Sequence, residues 1–291
     1  MQKNSNIITL LIKQLRPKQW TKNLLVFAAL FFSENLFNLE GTLKTIVAFI
    51  LFCLVSGCVY IVNDYVDREA DRLHPEKRYR PMASGALNPV MTLIFGMVLL
   101  TLSIAVGFYL KMLFGLLIFL YFLINIAYSF KLKHIVILDI MVIASGFVLR
   151  AIGGGLVINV QFTPWFLLCT LLLALFLAVG KRRHELVLLQ QNKGIHRKVL
   201  DSYTITLLDQ FTGIVTTATI ICYAIFTFTS GHSLYLMWTI PLVIYGIFRY
   251  LYIIHVEGKG GAPEKLLLQD KHILLTVFLY VVATLVILYL D

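Results

Sequence analysis

Long apolar runs follow one another along almost the whole chain, and they restrict it to a helical protein that crosses a membrane many times. A transmembrane helix needs about 20 apolar residues to cross a hydrocarbon core about 30 Å thick. Only helices and closed barrels span a bilayer, because every backbone polar group must be paired inside it. The sequence predicts nine spans, at roughly 23–38, 43–62, 90–110, 112–129, 135–158, 162–180, 206–229, 233–254 and 272–290.

The low content of charged residues supports this class of protein. Of the 291 residues, 59% are hydrophobic and 14% are charged, whereas soluble domains carry about 25% charged residues. No cleavable signal peptide is apparent, because Lys13, Arg16, Lys18 and Lys22 interrupt the N-terminal segment. We therefore predict an all-α integral membrane protein with a single polytopic membrane domain over 1–291.

The distribution of basic residues predicts the orientation of the chain. Twenty-two of the 25 Lys and Arg residues fall on one side of the predicted spans, whereas Lys44 and Lys111 fall on the other and Arg150 lies inside a span. Because basic loops stay in the cytoplasm, we predict a bacterial-type inner (cell) membrane protein with a cytoplasmic N-terminus and active site. The cytoplasmic segments are then the N-terminal arm (1–22) and loops at about 64–89, 130–134, 181–205 and 255–271.

Charge and cysteine usage narrow the classes of partner. The net charge of +10 favours membrane lipids with anionic headgroups. Nucleic acid is a poor alternative, because the basic residues are dispersed among membrane loops and form no separate domain. Cys53, Cys58, Cys169 and Cys222 all lie within apolar spans without C-x-x-C spacing. We interpret them as packing residues, which argues against a zinc site and structural disulfides.

The stretch from Asn63 to Asp71 is the most informative polar segment. If the helix of the second span continues through it, Asp64, Asp67 and Asp71 fall on one face, with Asn63 at its edge. Stacked carboxylates repel one another, so a positive group is expected among them. Oxygen ligands of this kind suit Mg²⁺, particularly when substrate phosphates complete its shell. We predict that these four residues form a magnesium site; a solvated acidic helix end is the alternative.

Cations lie close to this stretch in the sequence. Lys77, Arg78 and Arg80 follow it closely and, together with carboxylates and a metal, resemble a site for a diphosphate. Lys18 and Lys22 of the N-terminal arm are four residues apart and share a helix face. These two lysines either snorkel at the membrane surface or bind a phosphate, and their spacing does not decide between the two.

Two charged residues fall within the fifth span. Asp139 and Arg150 lie on nearly the same helix face but about 16 Å apart along its axis, so they cannot pair with each other. Each needs another partner or a wet cavity, and an ion pair with another span is one interpretation. Their part in a site is left open, as is that of Glu185.

The acidic stretch resembles a known motif. The Asn-Asp-x-x-Asp-x-x-x-Asp pattern of 63–71 is similar to the first acidic motif of the UbiA-type membrane prenyltransferase superfamily. The number of spans and the stretch Tyr128-x-x-Lys131-x-Lys133 fit that superfamily as well. The resemblance covers nearly the whole chain and implies a UbiA-like bundle of about nine helices, with its active site on the cytoplasmic side.

The chain departs from this superfamily after the sixth span. Members that prenylate aromatic rings usually carry a second aspartate-rich motif there, where a second metal helps to ionise a prenyl diphosphate. Here the segment 181–185 has one acid among three cations. A second carboxylate-bound metal is therefore not expected, and Lys181 and Arg182 are expected to bind phosphate directly. The segments 16–23, 77–81, 180–182 and 263–264 resemble one branch, the decaprenyl-phosphate phosphoribosyltransferases.

That branch implies a specific reaction. Its members transfer 5-phosphoribose from phosphoribosyl diphosphate (PRPP) to a polyprenyl phosphate and release diphosphate, toward decaprenyl-phosphoryl-arabinose for cell-wall or surface arabinan. The same Mg²⁺-dependent transferase activity is implied here, with PRPP and polyprenyl phosphate as partners. The implied roles are Mg²⁺ binding by Asp67 and Asp71 with help from Asn63 and Asp64, charge neutralisation by Arg78, Arg80, Lys131 or Lys133, lipid-phosphate binding by Lys18 and Lys22, and donor contact by Tyr128.

Two other functions compete with this one. A UbiA-type prenyltransferase that moves a prenyl group to an aromatic or other small acceptor needs a second metal site, against which the cations of 181–185 argue. A transporter or lipid carrier is disfavoured, because transporters place charged sites near the bilayer midplane and the acids here gather at the predicted cytoplasmic mouth. The length of the polyprenyl chain and the oligomeric state are left open.

Overall fold

Helices make up all the regular structure in the part of the chain that the computed structural model describes, residues 6–33, 36–73, 77–191, 198–261, 266 and 269–290. Short 3-10 turns occur at Lys77–Tyr79, Leu132–His134, Lys198–Ser202 and Leu234–Thr239. The longer elements are α1 (Ile7–Gln14), a 3-10 helix (Pro17–Phe27), α2 (Ala28–Phe32), α3 (Leu39–Val66), α4 (Arg68–Leu73), α5 (Pro89–Leu110), α6 (Met112–Phe130), α7 (Leu138–Ile158), α8 (Pro164–Gln190), α9 (Ile205–Thr229), α10 (Ile240–His255) and α11 (Lys271–Leu290).

Eight stretches of the described chain are long and apolar enough to cross a membrane. They are α3, α5, α6, α7, α8, α9, the continuous stretch Leu234–His255, and α11 up to Tyr289. Each overlaps one of the nine predicted spans, so the prediction of an all-α integral membrane protein is confirmed. Polar side chains cap the beginnings of four of these helices, as the sequence preference for Asn and Thr at this position predicts. The capping residues are Asn38, Asn88, Thr163 and Thr204.

The first predicted span, 23–38, is not a long helix. It begins inside the 3-10 helix and continues into α2, which is only 5 residues long. The apolar run from Leu24 to Phe32 is short, and Ser33 follows it directly. This segment is therefore not among the stretches of the described chain that are long and apolar enough to cross a membrane by helix length.

The chain divides into two compact units, which are described separately. The described residues of the first unit fall within Met1–Leu30, Leu36–Phe130 and Ile152–Val160. Helix α3 is its central element, since it packs against α5, α6, the 3-10 helix and α1. Phe52 of α3 is fully buried there, with edge-on contacts to two other rings. This packing places the end of α3, with its acidic residues, beside the N-terminal arm.

The 3-10 helix lies very close to its neighbours in the first unit. Asn23 is fully buried, and its Nδ2 donates hydrogen bonds to Cys53 Sγ at 3.2 Å and Ser56 Oγ at 3.4 Å. The carbonyl oxygen of Val26 lies against Gly154, where a Cβ atom would be only 1.9 Å from that oxygen. Only glycine fits such a close backbone approach.

The second unit contains the described residues of Phe31–Asn35, Lys131–Ala151 and Gln161–Asp291. Helices α8 and α9 form its main pair, and α10 packs against α11. Small residues on α8, among them Ala174 and Ala178, are buried in a core that also takes in Val199, Leu200 and Tyr203. This core holds the segment before α9 against the beginning of α7 in the same unit.

Replacing Gly154 with alanine should destabilise the protein, because the added methyl group collides with the Val26 carbonyl. Overpacking of this kind costs about 1–3 kcal/mol. Gly213→Ala in α9 is the matched control, since its Cβ meets nothing within 4 Å. Thermal unfolding in detergent should show a lower midpoint for Gly154→Ala only. Equal midpoints for the two variants would contradict the close approach.

Candidate functional site

The helical path through the acidic stretch is almost continuous. Helix α3 ends at Val66 and α4 begins at Arg68, with Asp67 between them at φ −85° and ψ 4°. The backbone N–H of Asp67 donates to the Asn63 carbonyl at 2.9 Å, and that of Asp71 donates to the Asp67 carbonyl at 2.8 Å. Because the i to i−4 hydrogen bonds persist, the predicted common face survives the break between the two helices.

Arg80 joins two of the carboxylates on that face. Its Nη1 donates to Asp64 Oδ1 at 2.9 Å and to Asp71 Oδ2 at 2.6 Å. Both aspartates are 2% exposed. Lys77 adds a second positive charge, with its Nζ 3.9 Å from Asp71 Oδ1. The prediction that a positive group lies among the carboxylates is therefore confirmed, and that group is supplied by the loop after α4.

The side chain of Lys77 is partly exposed at the edge of this cluster. Burial lowers the pKa of Lys77, and the charge of Arg80 acts in the same direction. The carboxylates of Asp71 and Asp67 oppose this change. The cluster thus holds an ammonium group that is partly desolvated and close enough to sense both aspartates, which is an environment suited to a polyanionic ligand.

The N-terminal arm supplies two further partners that sequence reasoning missed. Gln14 Nε2 donates to Asp64 Oδ2 at 2.7 Å, and Arg16 Nη2 donates to Asp64 Oδ1 at 2.5 Å. The guanidinium of Arg16 also lies over the ring of Tyr60, 4.6 Å from its centroid. Gln14 shares the buried face of α1, where Leu10 and Leu11 pack against the core. The position of this polar residue on an apolar helix face is the sequence feature that could have indicated a buried partner.

The cluster fits Mg²⁺ only when a phosphate ligand completes the shell. In the described parts of the chain, no three Asp, Glu, His or Cys side chains converge as a metal-binding group. The donors near Asp67 and Asp71 are oxygens, which Mg²⁺ prefers, and in proteins this ion is commonly bound by one or two carboxylates plus substrate phosphates. The neighbouring cations Lys77 and Arg80 would repel a bare ion but attract a metal–diphosphate.

The other predicted ligands of the first unit lie in several places. Lys18 is exposed on the 3-10 helix, whereas Lys22 and Tyr128 are partly buried. Arg78 is exposed, and its Nη2 donates to Tyr79 Oη at 2.8 Å. Their roles as phosphate or donor ligands stay predictions. The predicted segment at 263–264 lies outside the described residues.

A second charged cluster lies in the second unit, around Asp139. Arg182 Nε donates to Asp139 Oδ2 at 2.6 Å, and Tyr203 Oη donates to Asp139 Oδ1 at 2.7 Å. Arg182 Nη1 also donates to Glu185 Oε2 at 2.7 Å. The interpretation of Asp139 as one half of an ion pair with another span is therefore confirmed. Arg150 donates to a carbonyl of its own helix, that of Gly146.

The expectation that Arg182 binds phosphate directly does not fit its surroundings. Its side chain is 1% exposed, and Asp139 and Glu185 already use its guanidinium. A run of cations in sequence does not reveal which of them turns inward. Lys181 is partly buried beside it, Lys131 is exposed and Lys133 is partly buried; their phosphate-binding roles stay predictions.

Tyr203 also supports an unusual backbone conformation at the beginning of α7. Ile137 has φ 70°, in the left-handed region that a β-branched residue rarely adopts. Its backbone N–H donates to Tyr203 Oη at 2.8 Å. Burial raises the pKa of Tyr203, and its hydrogen bond to Asp139 acts in the same direction. The hydroxyl therefore connects the Asp139 pair to the segment that follows Lys131 and Lys133.

Comparison with known proteins places this chain in a family. The model of the UbiA prenyltransferase family matches residues 24–282, so the chain belongs to the UbiA prenyltransferase family and is a membrane transferase of that family. A decaprenyl-phosphate phosphoribosyltransferase from Corynebacterium glutamicum is 37% identical, over 91% of this chain and 82% of that protein. The protein of the same name from Mycolicibacterium smegmatis is 34% identical, over 91% of this chain and 88% of that protein.

Solved structures agree with this family membership. The structure of a UbiA homologue from Archaeoglobus fulgidus bound to GPP and Mg²⁺ matches with a TM-score of 0.72 at 18% identity. The match covers 96% of this chain and 99% of that chain. This likeness establishes the UbiA-type fold.

Tyr203→Phe should destabilise the second unit without changing the packing of the ring. The substitution leaves a buried Asp139 oxygen and the Ile137 N–H without their hydroxyl partner, and each unsatisfied buried group costs about 1–3 kcal/mol. Tyr109→Phe is the control, because Tyr109 is 94% exposed. We expect a lower thermal midpoint in detergent for Tyr203→Phe alone. An unchanged midpoint would show that the hydroxyl contributes nothing to stability.

The raised pKa of Tyr203 also predicts how stability changes in alkali. Unfolded tyrosine loses its proton near pH 10, whereas the folded protein retains the proton of Tyr203 to higher pH. This residue therefore contributes stability that is present below about pH 10 and is lost as the pH rises further. Thermal midpoints measured from pH 9 to 11 should fall more steeply for the unmodified protein than for Tyr203→Phe. Parallel curves would contradict this.

Proposed function

We propose that this protein transfers 5-phosphoribose from PRPP to a polyprenyl phosphate, decaprenyl phosphate in the first instance, and releases diphosphate. The observation that carries the proposal is the cluster in the first unit, where Asp71 meets Arg80 and Lys77, with Asp67 close by. Curated relatives that span most of this chain bear the name of the same reaction. The product would lead toward decaprenyl-phosphoryl-arabinose and cell-wall or surface arabinan.

The cluster suits a diphosphate leaving group. Arg80 and Lys77 combine a planar guanidinium, which binds phosphate oxygens in pairs, with a compact ammonium charge. Arg78, which directly follows Lys77 in the sequence, is exposed and adds a third cation. As the bond between ribose C1 and the diphosphate oxygen breaks, negative charge grows on the leaving group, and fixed cations stabilise it in the transition state.

Asp67 and Asp71, with the amide oxygen of Asn63, are the residues that would hold Mg²⁺ at this leaving group. When bound, the ion neutralises the diphosphate and helps to orient it. The carboxylates would provide hard oxygen donors, and substrate phosphates would provide the others. Asp71 must exchange part of its contact with Arg80 for this role, which leaves the guanidinium available to the diphosphate.

The acceptor needs no strong general base in this reaction. A polyprenyl phosphate is already an anion, so its oxygen attacks ribose C1 directly as the diphosphate leaves. Lys18 and Lys22, on the 3-10 helix that follows α1, would hold the lipid phosphate at the membrane surface. We expect this chemistry on the cytoplasmic side of a bacterial inner membrane, because basic loops stay in the cytoplasm.

Further proposed phosphate ligands lie in the second unit. Lys131 precedes the 3-10 turn after α6 and Lys133 lies within it, whereas Lys181 follows the apolar part of α8. Arg182, which is buried and paired with Asp139, would hold the backbone beside Lys181 in place. The proposed role of the three lysines rests on their positive charge and on the resemblance of their segments to the UbiA superfamily and its phosphoribosyltransferase branch.

Release of diphosphate from PRPP is the direct test. Purified protein in detergent with Mg²⁺ should release it when polyprenyl monophosphate is present, and release should stop when the lipid is left out. If PRPP is not consumed but a prenyl diphosphate reacts with an aromatic acid, the protein is a prenyltransferase with a small acceptor.

Asp67→Asn should remove activity while the fold persists. Asp67 is partly exposed at the junction of α3 and α4, so its carboxylate serves the metal and not the core. We expect at least about a 100-fold loss of turnover, equivalent to about 2.7 kcal/mol in the activation barrier, with an unchanged thermal midpoint. Glu69→Gln is the matched control, because Glu69 is exposed and pairs with Arg68 and Arg72. Comparable losses in both variants would contradict the assignment.

A further inference from the structure

We propose that Asp64 is a positioning residue, which holds Arg80 and the N-terminal arm in place and does not bind the metal. The inference rests on the proposed function, because it assigns different roles in that reaction to different residues of the acidic face. Asp67 and Asp71 face the metal–diphosphate, whereas Asp64 organises the cations that receive it. Sequence pattern alone treats the three carboxylates as equivalent.

The hydrogen bonds of Asp64 leave it little capacity for a metal. Its Oδ1 accepts from Arg16 and from Arg80, and its Oδ2 accepts from Gln14. The side chain is 2% exposed. A cation at Asp64 would have to displace two guanidinium groups or a buried amide, each of which would then lose its partner.

Arg80 shows why the two buried aspartates differ. The same Nη1 atom donates to Asp64 and to Asp71, but among the described residues of the N-terminal arm the donors, Gln14 and Arg16, reach Asp64 and not Asp71. When Asp71 turns to a metal–diphosphate, Asp64 still accepts from Arg80 and keeps the guanidinium beside the site. Asp64 therefore acts on the substrate through Arg80.

The hydrogen bond to Asp64 determines the orientation of the Gln14 amide group. A carboxylate only accepts hydrogen bonds, so the amide nitrogen must face it. Within the described residues the Oε1 atom of Gln14 consequently has no hydrogen-bond partner, although the side chain is 1% exposed. A buried oxygen without a donor is costly, so the bond to Asp64 determines how this side chain lies.

The backbone of the arm is also held against its own preference. Arg16 adopts φ 53° and ψ 62°, a left-handed conformation that costs a non-glycine residue energy. Its guanidinium is fixed by Asp64 and by the ring of Tyr60. Leu15 fits so closely against α3 that a Cβ on Gly57 would lie 2.6 Å from its Cδ2. Asp64 thus fixes the arm that continues to Lys18.

The kinetics of Asp64→Asn and Asp71→Asn distinguish the positioning role from the metal-binding role. We expect Asp64→Asn to raise the KM for PRPP about tenfold, the scale of a lost charged hydrogen bond, without changing the Mg²⁺ concentration needed for half-maximal rate. Asp71→Asn should instead raise the Mg²⁺ requirement. Gln14→Met removes one hydrogen bond to Asp64 without touching Arg80, so it should shift the KM for PRPP in the same direction by a smaller factor.

Trypsin provides a readout that needs neither Mg²⁺ nor turnover. The peptide bonds after Lys13 and Lys18 flank the segment that Asp64 fixes. In detergent without Mg²⁺, Asp64→Asn and Gln14→Met should be cut there several times faster than the unmodified protein. Asp71→Asn should be cut at the unmodified rate, because its contacts are with Arg80 and Lys77.

The outcomes separate this inference from the proposed function. A raised Mg²⁺ requirement in Asp64→Asn, or arm cleavage that neither Asp64→Asn nor Gln14→Met accelerates, overturns the positioning role. If Asp64→Asn does not fold, Gln14→Met decides by the same measurements. If the unmodified protein does not consume PRPP, the proposed function fails. The cleavage rates then show whether Asp64 fixes the arm. Mg²⁺-dependent thermal stabilisation by inorganic diphosphate shows whether Asp64 takes part in metal binding.

Discussion

Buried carboxylates need counter-charges, and this requirement organises the polar end of the first unit. Removing one partner of a buried ion pair typically costs about 3–5 kcal/mol, because the other charge is left uncompensated. Asp64 and Asp71 meet the requirement through Arg80, which comes from a loop, and through Arg16, which comes from the N-terminal arm. The loop and the N-terminal arm are thereby fixed next to the end of α3.

The second unit meets the same requirement in a different way. Asp139 is fully buried, and Arg182 and Tyr203 together use both of its oxygens. Both of these partners are themselves buried. Its charges hold the backbone around Ile137 and the end of α8 in place. The buried Asp139 pair therefore stabilises the fold of the second unit.

Sequence reasoning predicted the parts of the molecule that depend on local pattern. Apolar length predicted the eight membrane-spanning stretches, and helical spacing placed Asp64 and Asp71 on one face. It failed where the answer depends on distant partners. Gln14 and Arg16 reach Asp64 across about fifty residues of sequence, and nothing local indicates that Arg182 turns into the protein. The apolar run after Asn23 was simply too short to become the expected span.

The pair formed by Asp139 and Arg182 also affects how the chain enters the membrane during synthesis. A lone charged residue in an inserting helix is penalised, by about 2.5–3.5 kcal/mol at the centre of the bilayer and by less near its surface. Helices α7 and α8 are consecutive and joined only by 159–163, so each can neutralise the other's charge soon after it is made. The energetics favour their insertion as a hairpin. Ribosomal pausing between the two helices would expose α7 with its carboxylate unpaired.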